Sequence, residues 1–309
     1  MFVTIAIPTY NNAQLLDSAL QSLYKLHCPD DIDYEILVID NNSNDRTPLI
    51  IRKNIERFNS KLKSVFEPKQ GLSFARNRAL KEAKGQIVCF LDDDVIVAPG
   101  WLEAVTSAFS KYSAAVVGGR SYLIYPGQKP YWLPHEREML LSALDYGNQT
   151  LVNTDKELFG LNFSIRKELA LKLGGFNTAL GRKAKSLSCG EETELLDRVR
   201  KAGGVAVYEP RAIVGHIVKK KRLKKSWMFR RIFEGAVSKE RQQISQGKIA
   251  SISTLFVQTA RCWASVIKSI FNRYSEAEIF FEKQYFATYN LGRLVATIRF
   301  GTKNNSRKI

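Results

Sequence analysis

Cysteine is scarce in this 309-residue chain, and none of it is paired in sequence: Cys28, Cys89, Cys189 and Cys262 stand far apart and form no Cys-x-x-Cys. That excludes a disulfide framework or a zinc knuckle as the organising device, and with no secretory segment ahead of them the thiols fit a reducing cytosol. The N-terminus, Met1 to Pro8, lacks a basic n-region and a long apolar run, so it is expected to be a first β-strand and not a signal peptide. No Gly-x-Gly-x-x-Gly and no Walker lysine follows any apolar strand, which excludes phosphate capture by a glycine loop. Internal repeats and low-complexity linkers are absent too, which excludes a solenoid.

What is present is a hydrophobic content of 45%, enough for a real core and against disorder. The net charge of +17 is lopsided: residues 217–309 hold 20 Lys or Arg against 5 Glu, leaving 27 against 25 for residues 1–216. The first two thirds therefore reads as a near-neutral domain, and the last third carries the basic character. The expected organisation is one domain over 1–217, with halves 1–120 and 121–217, followed by a basic amphipathic helical extension over 218–309.

Apolar runs and helical patterns alternate through the first 120 residues, the signature of βαβ units and a mainly parallel sheet. Strands are expected at Val3–Pro8, Tyr34–Asp40, 63–67 and Gln86–Leu91. Helices are expected at Ala13–Leu26, Thr47–Phe58 and 72–84, and another opened by Pro99. After Gly118-Gly119 the rhythm breaks into aromatic and proline-rich segments. A helix over Glu191–Ala202, closed by Gly203-Gly204, precedes short strands at Val205–Tyr208 and Ala212–Ile217.

Ligands of open α/β sheets gather at the carboxyl ends of strands, and three strand ends here are polar: Pro8-Thr9-Tyr10-Asn11-Asn12, Asp40-Asn41-Asn42-Ser43-Asn44-Asp45 and Asp92-Asp93-Asp94. Singly, such clusters form turns and helix caps. Three consecutive carboxylates after a buried strand repel one another unless they are solvated or bind a cation, and oxygen ligands suit Mg²⁺ or Mn²⁺ bridging a diphosphate.

These segments, together with Gly71, Ala75-Arg76-Asn77, Leu173-Gly174-Gly175-Phe176, Gly190-Glu191-Glu192 and His216, resemble in order and spacing a family 2 glycosyltransferase of the GT-A fold over residues 1–217. The resemblance implies an α/β Rossmann-like sheet with helices on both faces, and inverting transfer of a sugar from a UDP-, GDP- or dTDP-sugar to a glycan or lipid-linked acceptor. It implies that Pro8, Thr9, Tyr10, Asn11, Asp40, Asn42, Asn77, Asp92 and Asp93 surround the nucleotide sugar. It further implies that Asp94, with His216, ligates Mn²⁺ or Mg²⁺. The general base falls on Glu192, beside Glu191, where the family carries an aspartate. Arg76 is open to a second reading, as the ion-pair partner of a strand-end aspartate.

The basic run from Lys219 to Lys225, extended by Arg230-Arg231, could grip nucleic acid, phosphates or an anionic membrane. From Ile252 on, Leu255, Phe256, Trp263, Val266, Ile267 and Ile270 share a helical face opposite Arg261 and Lys268, which favours an amphipathic helix on the inner face of the plasma membrane over a nucleic-acid site. A second stretch, Ile279–Ile298, is expected to behave similarly. The competing readings are a nucleotidyltransferase, which would carry a glycine- and lysine/arginine-rich phosphate loop, and a nucleic-acid-binding protein acting through the basic third.

Overall fold

A computed structural model describes residues 1–182, 189–245, 247–271 and 276–301. In chain order, the first half runs β1 (Phe2–Thr9), α1 (Ala13–Tyr24), β2 (Asp33–Asp40), α2 (Thr47–Arg57), β3 (Leu62–Phe66), α3 (Leu72–Glu82), β4 (Ile87–Leu91), β5 (Val95–Val97), α4 (Trp101–Lys111) and β6 (Val116–Ile124). There follow β7 (Leu151–Val152), β8 (Asn162–Arg166), α5 (Lys167–Lys172), α6 (Glu191–Lys201), β9 (Ala206–Ile217), α7 (Lys225–Ser245), α8 (Ile252–Phe271) and α9 (Ala277–Ala296). The chain divides into two compact units: one made of Met1–Ile124, the segment from Ser142 and Glu191–Val218, the other of Tyr125–Leu141 and the chain from Lys219 onward.

In the first unit the described strands form one sheet in the order β3-β2-β1-β4-β8-β6-β9-β5, with β7 on β9. The four strands read from the N-terminal pattern pair in parallel, while β8 runs antiparallel to both β4 and β6, so the sheet is mixed. Alternation along the strands builds two cores. Val3, Ile5, Ile7, Ile36 and Val38 point to one face under α1 and α4, while Ala6, Leu37, Ile39, Val88 and Phe90 point to the other under α3, α5 and α6. Each fully buried Ile, Leu or Val contributes about 1.5–3 kcal/mol, and Phe90, packed edge-on against Phe176, is the kind of residue whose truncation costs about 3–5 kcal/mol.

Three expectations for this unit change. The region after Gly118-Gly119 is not irregular at first, since β6 carries both glycines. There the bulging partner strand comes so close that a Cβ on Gly119 would lie 2.0 Å from the carbonyl oxygen of Ala212. The two strands expected at 205–208 and 212–217 are one, β9, whose register against β6 shifts between Gly119 and Ser121, so that Pro210, unable to donate to the ladder, falls in the skipped stretch. Pro99 does not open a helix either: α4 begins at Trp101, after a turn closed by Trp101 N–H on the Ala98 carbonyl.

The parallel register brings strand ends into line, with Pro8 beside Ile39 and Thr9 beside Asp40. At the other side of the sheet, Val95 pairs with His216, which sets the residue before β5, Asp94, next to that histidine.

The second unit is helical. Here α9 packs on both α7 and α8, and its Phe281 meets Trp132 and Phe229 at ring-centroid distances of 5.1 and 5.5 Å. A bidentate pair, Arg137 to Glu282 at 2.7 Å through both nitrogens, and a 2.7 Å pair from Arg293 to the buried Glu240 tie the helices together. The expected likeness of the two apolar stretches is therefore corrected. In α9, Phe281, Ala287, Leu294 and Ala296 are buried, whereas α8 buries only a narrow stripe at Leu255, Thr259, Val266 and Ser269. No helix among the described residues is long and apolar enough to cross a membrane.

Candidate active site

The ends of β1 and β2 are locked to one another by side chains too short to reach far. Asn11 and Asn42 adopt left-handed backbone angles, φ 49° and 65°, which asparagine tolerates better than most residues. Asn11 N–H donates to Ser43 Oγ at 3.1 Å, its Oδ1 accepts from Asn44 N–H at 2.8 Å, and Asp40 Oδ1 accepts from Ser43 N–H at 3.0 Å. The neighbouring Asn41 fastens a third strand end: its amide donates to the carbonyls of Glu67 and Lys69 and accepts from Gly71 N–H. Asp40 is buried at this edge, while Tyr10 and Asn42 are exposed.

The acidic run after β4 is split among three tasks. Asp93 accepts from Thr9 Oγ1 at 2.6 Å and from Asn12 Nδ2 at 2.5 Å, so it braces the β1 loop. Asp92 turns the other way and accepts from Arg76 Nη2 at 3.3 Å. Asp94, buried, has its Oδ1 3.4 Å from His216 Nε2 across the β5–β9 pair, and its carbonyl accepts from Ile217 N–H.

Arg76 is the hub. It is 2% exposed, and its guanidinium lies 5.4 Å from the Phe176 ring and 6.0 Å from the Phe90 ring. It donates to Glu191 Oε1 at 2.8 Å, and its Nη1 stands 4.0 Å from Glu192 Oε2. Gly160 is required opposite, because a Cβ there would sit 2.4 Å from Arg76 Nη2. Burial pushes the Glu191 carboxyl up to about 8, and the adjacent Glu192 adds to the rise, while the Arg76 cation only partly offsets both. Glu192 is better solvated and takes one weak bond, 3.4 Å from Gly160 N–H. One oxygen of each, Oε2 of Glu191 and of Glu192, is buried with no hydrogen-bond partner. Burial thus favours the neutral form of Glu191, which sits in the drier place.

A divalent cation fits the Asp94–His216 pair only as a partial site. The donor set is one carboxylate oxygen and one imidazole nitrogen, and no group of three or more His, Cys, Asp or Glu among the described residues could hold an ion alone. Such a pair suits an ion whose other positions are filled by phosphate oxygens and water, as for Mg²⁺ or Mn²⁺ arriving with a nucleotide.

The structure thus gathers Pro8, Thr9, Asn11, Asp40 and Asp93 at one end of this edge, and joins Asp92 to Glu191 and Glu192 through Arg76. Asn77 is placed otherwise: its amide donates to the Phe176 carbonyl and accepts from the Phe176 N–H, both within 2.8 Å, so both of its ends hold that turn. Gly160 escaped the sequence reading, and Asn12 and Asn41, quoted there only within the strand-end clusters, received no role of their own. Asparagine after a strand signals a turn, and nothing in its spacing reveals which distant carboxylate or carbonyl it will reach.

Comparison with known proteins now adds to this geometry. The sequence profile "Glycosyl transferase family 2" matches residues 4–174. The chain is 26% identical over 169 residues to the glucosyl-dolichyl phosphate glucuronosyltransferase of Haloferax volcanii, covering 54% of this chain and 54% of that protein. It is 25% identical over 237 residues to the succinoglycan biosynthesis protein ExoM of Rhizobium meliloti, covering 75% of this chain and 72% of that one. Among solved structures, the mannosyltransferase PcManGT from Pyrobaculum calidifontis, in complex with GDP-Man and Mn²⁺, superposes with a TM-score of 0.65 at 20% identity over 96% of this chain and 86% of that chain. At that identity the likeness shows the shared fold, GT-A.

Proposed function

The chain belongs to glycosyltransferase family 2, and from that premise we propose an inverting, metal-dependent enzyme that moves a sugar from a nucleotide-diphosphate sugar to an acceptor hydroxyl in glycan biosynthesis. The observation that carries this reading is the buried Arg76, which joins the acidic run at Asp92 to the Glu191–Glu192 pair about a hundred residues downstream. That ion pairing supports a reading in which nucleotide-binding groups at the strand ends and a proton-accepting group at the start of α6 work together.

In this reading Thr9, Tyr10, Asn11 and Asp40 surround the nucleoside, with Asp40 accepting charge-assisted hydrogen bonds from its edge. Asp94 and His216 hold a Mn²⁺ or Mg²⁺ ion, which when bound neutralises the charge that develops on the departing diphosphate. Glu192 accepts the acceptor hydroxyl proton as that oxygen forms its bond to the anomeric carbon and the bond to the diphosphate oxygen breaks on the opposite side. Glu191, whose burial favours its neutral form, is the less suited of the two to take that proton, which leaves the role to the better solvated Glu192. Arg76 fixes both carboxylates. It is a positioning residue.

The dolichyl phosphate carrier in the name of the Haloferax volcanii relative supports a lipid-linked acceptor, and with it a position on the inner face of the membrane. The basic third supports attraction to anionic lipid. Titration calorimetry with UDP-, GDP- and dTDP-sugars in the presence of Mn²⁺ tests the reading. We expect binding of at least one donor, weakened by Asp94→Ala; no binding of any by folded protein overturns it.

A further inference from the structure

We infer that α8 is a membrane-docking helix that lies flat on an anionic lipid surface. This rests on the membrane-side reading above for its purpose, but on separate residues. Leu255, Thr259, Val266 and Ser269 are buried, and Leu255 and Val266 turn away from the rest of the apolar face read from the sequence. What remains outside is a second stripe: Ile252, Phe256, Ala260, Trp263, Ile267 and Ile270 recur every three or four residues along nearly five turns. The large members of that stripe are 40 to 64% exposed in a chain whose other helices bury theirs more fully.

The charges on the helix say what covers the stripe. The helix carries no Asp or Glu, and its two charged residues, Arg261 and Lys268, are both cations. Both stand on the side of the helix away from the exposed stripe, about two turns apart, as the cationic polar face of an amphipathic helix whose apolar stripe enters the acyl boundary. Trp263 sits midway, the aromatic type favoured at that depth. A protein partner would more commonly meet mixed charge; a helix whose own charges are all cationic complements an anionic lipid surface.

The inference also moves the anchor. The run Lys219–Lys225, by charge alone the obvious membrane contact, has its Arg222 buried beneath Trp227 at 6.0 Å from the ring, so part of it is structural. Basic residues near a surface attract; apolar area entering it holds.

The test is co-sedimentation of the full chain with vesicles of phosphatidylcholine alone and of phosphatidylcholine mixed with phosphatidylglycerol. The wild type is compared with Phe256→Asp/Ile267→Asp, and melting and nucleoside diphosphate release are measured in parallel. We expect pelleting with the anionic vesicles, weakened at least about tenfold in the double variant, with melting and donor turnover unchanged. Undiminished pelleting of a folded double variant overturns the assignment to α8 and leaves the membrane-side reading standing. Failure of the wild type to pellet with either vesicle overturns both, with the sugar-transfer reading judged separately by diphosphate release. A wild-type dimer in light scattering that the double variant converts to a monomer assigns the stripe to a second copy and overturns the lipid assignment.

Discussion

The two units of this chain use charge in opposite ways. In the sheet unit, ionic groups are drawn inward: Arg76 and Glu191 are almost wholly buried, and Asp94 and His216 are buried side by side. In the helical unit, which carries most of the net positive charge, Lys220, Lys221 and Lys224 are left in solvent, while Glu240 and Glu282 are drawn into pairs that hold helices together. The contrast follows from dielectric. A carboxylate taken out of water shifts its proton affinity and becomes usable for chemistry, whereas an exposed lysine keeps its ordinary properties and acts only by long-range attraction.

Arg76→Met is the severest way to break that contrast. With the guanidinium gone, Asp92, Glu191 and Glu192 lose their shared cation, and we expect about 3–5 kcal/mol less stability in urea denaturation, with turnover lost. Stability close to wild type would show that the buried ions do not hold α3 to α6. Next in size, Glu192→Gln is expected to lower turnover by about 10²–10⁴-fold while donor affinity, measured by calorimetry, stays within about threefold. Equal loss in both would make Glu192 a binding group instead of a base.

A smaller effect distinguishes the two glutamates. The Glu191 carboxyl is raised to about 8 in the folded chain, so folding favours its neutral form. That contribution is fully present below the ordinary carboxylate range and is lost as pH climbs through about 8. The melting temperature of the wild type should therefore fall between about pH 5 and 8 and level off above, and that part of the fall should vanish in Glu191→Gln. A variant that keeps the wild-type slope removes Glu191 as its source. Smallest of all, Lys220→Glu/Lys221→Glu should move the melting midpoint by less than about 2 °C, since these side chains are exposed. A large change there would erase the distinction between inward and outward charge.

The first half of the sheet was legible because each of its strands is a short apolar run bounded by turn residues, and β1, β2 and β4 end in the polar clusters that sequence reading singled out. β5 was missed because three residues after an acidic run carry no periodicity, and β9 was divided because proline interrupts the pattern where only the partner strand shows that pairing resumes. The region 120–190, where the strand and helix rhythm breaks in sequence, contributes Gly160 and the turn at 173–176 to the site, and its residues 183–188 lie outside the described residues.

By itself the sequence determined the local quantities: where strands begin and end, which of them finish in carboxylates, and that the basic character is confined to the last third. Those are properties of neighbours along the chain, set by hydrophobic periodicity and turn chemistry within a dozen residues. Only the tertiary structure decided that Arg76 bridges Asp92 and Glu191, that Glu191 and not Glu192 is the drier carboxyl, and that α8 turns half of its apolar face outward. Each of these depends on burial, and burial is fixed by what packs from distant segments, which no local pattern encodes.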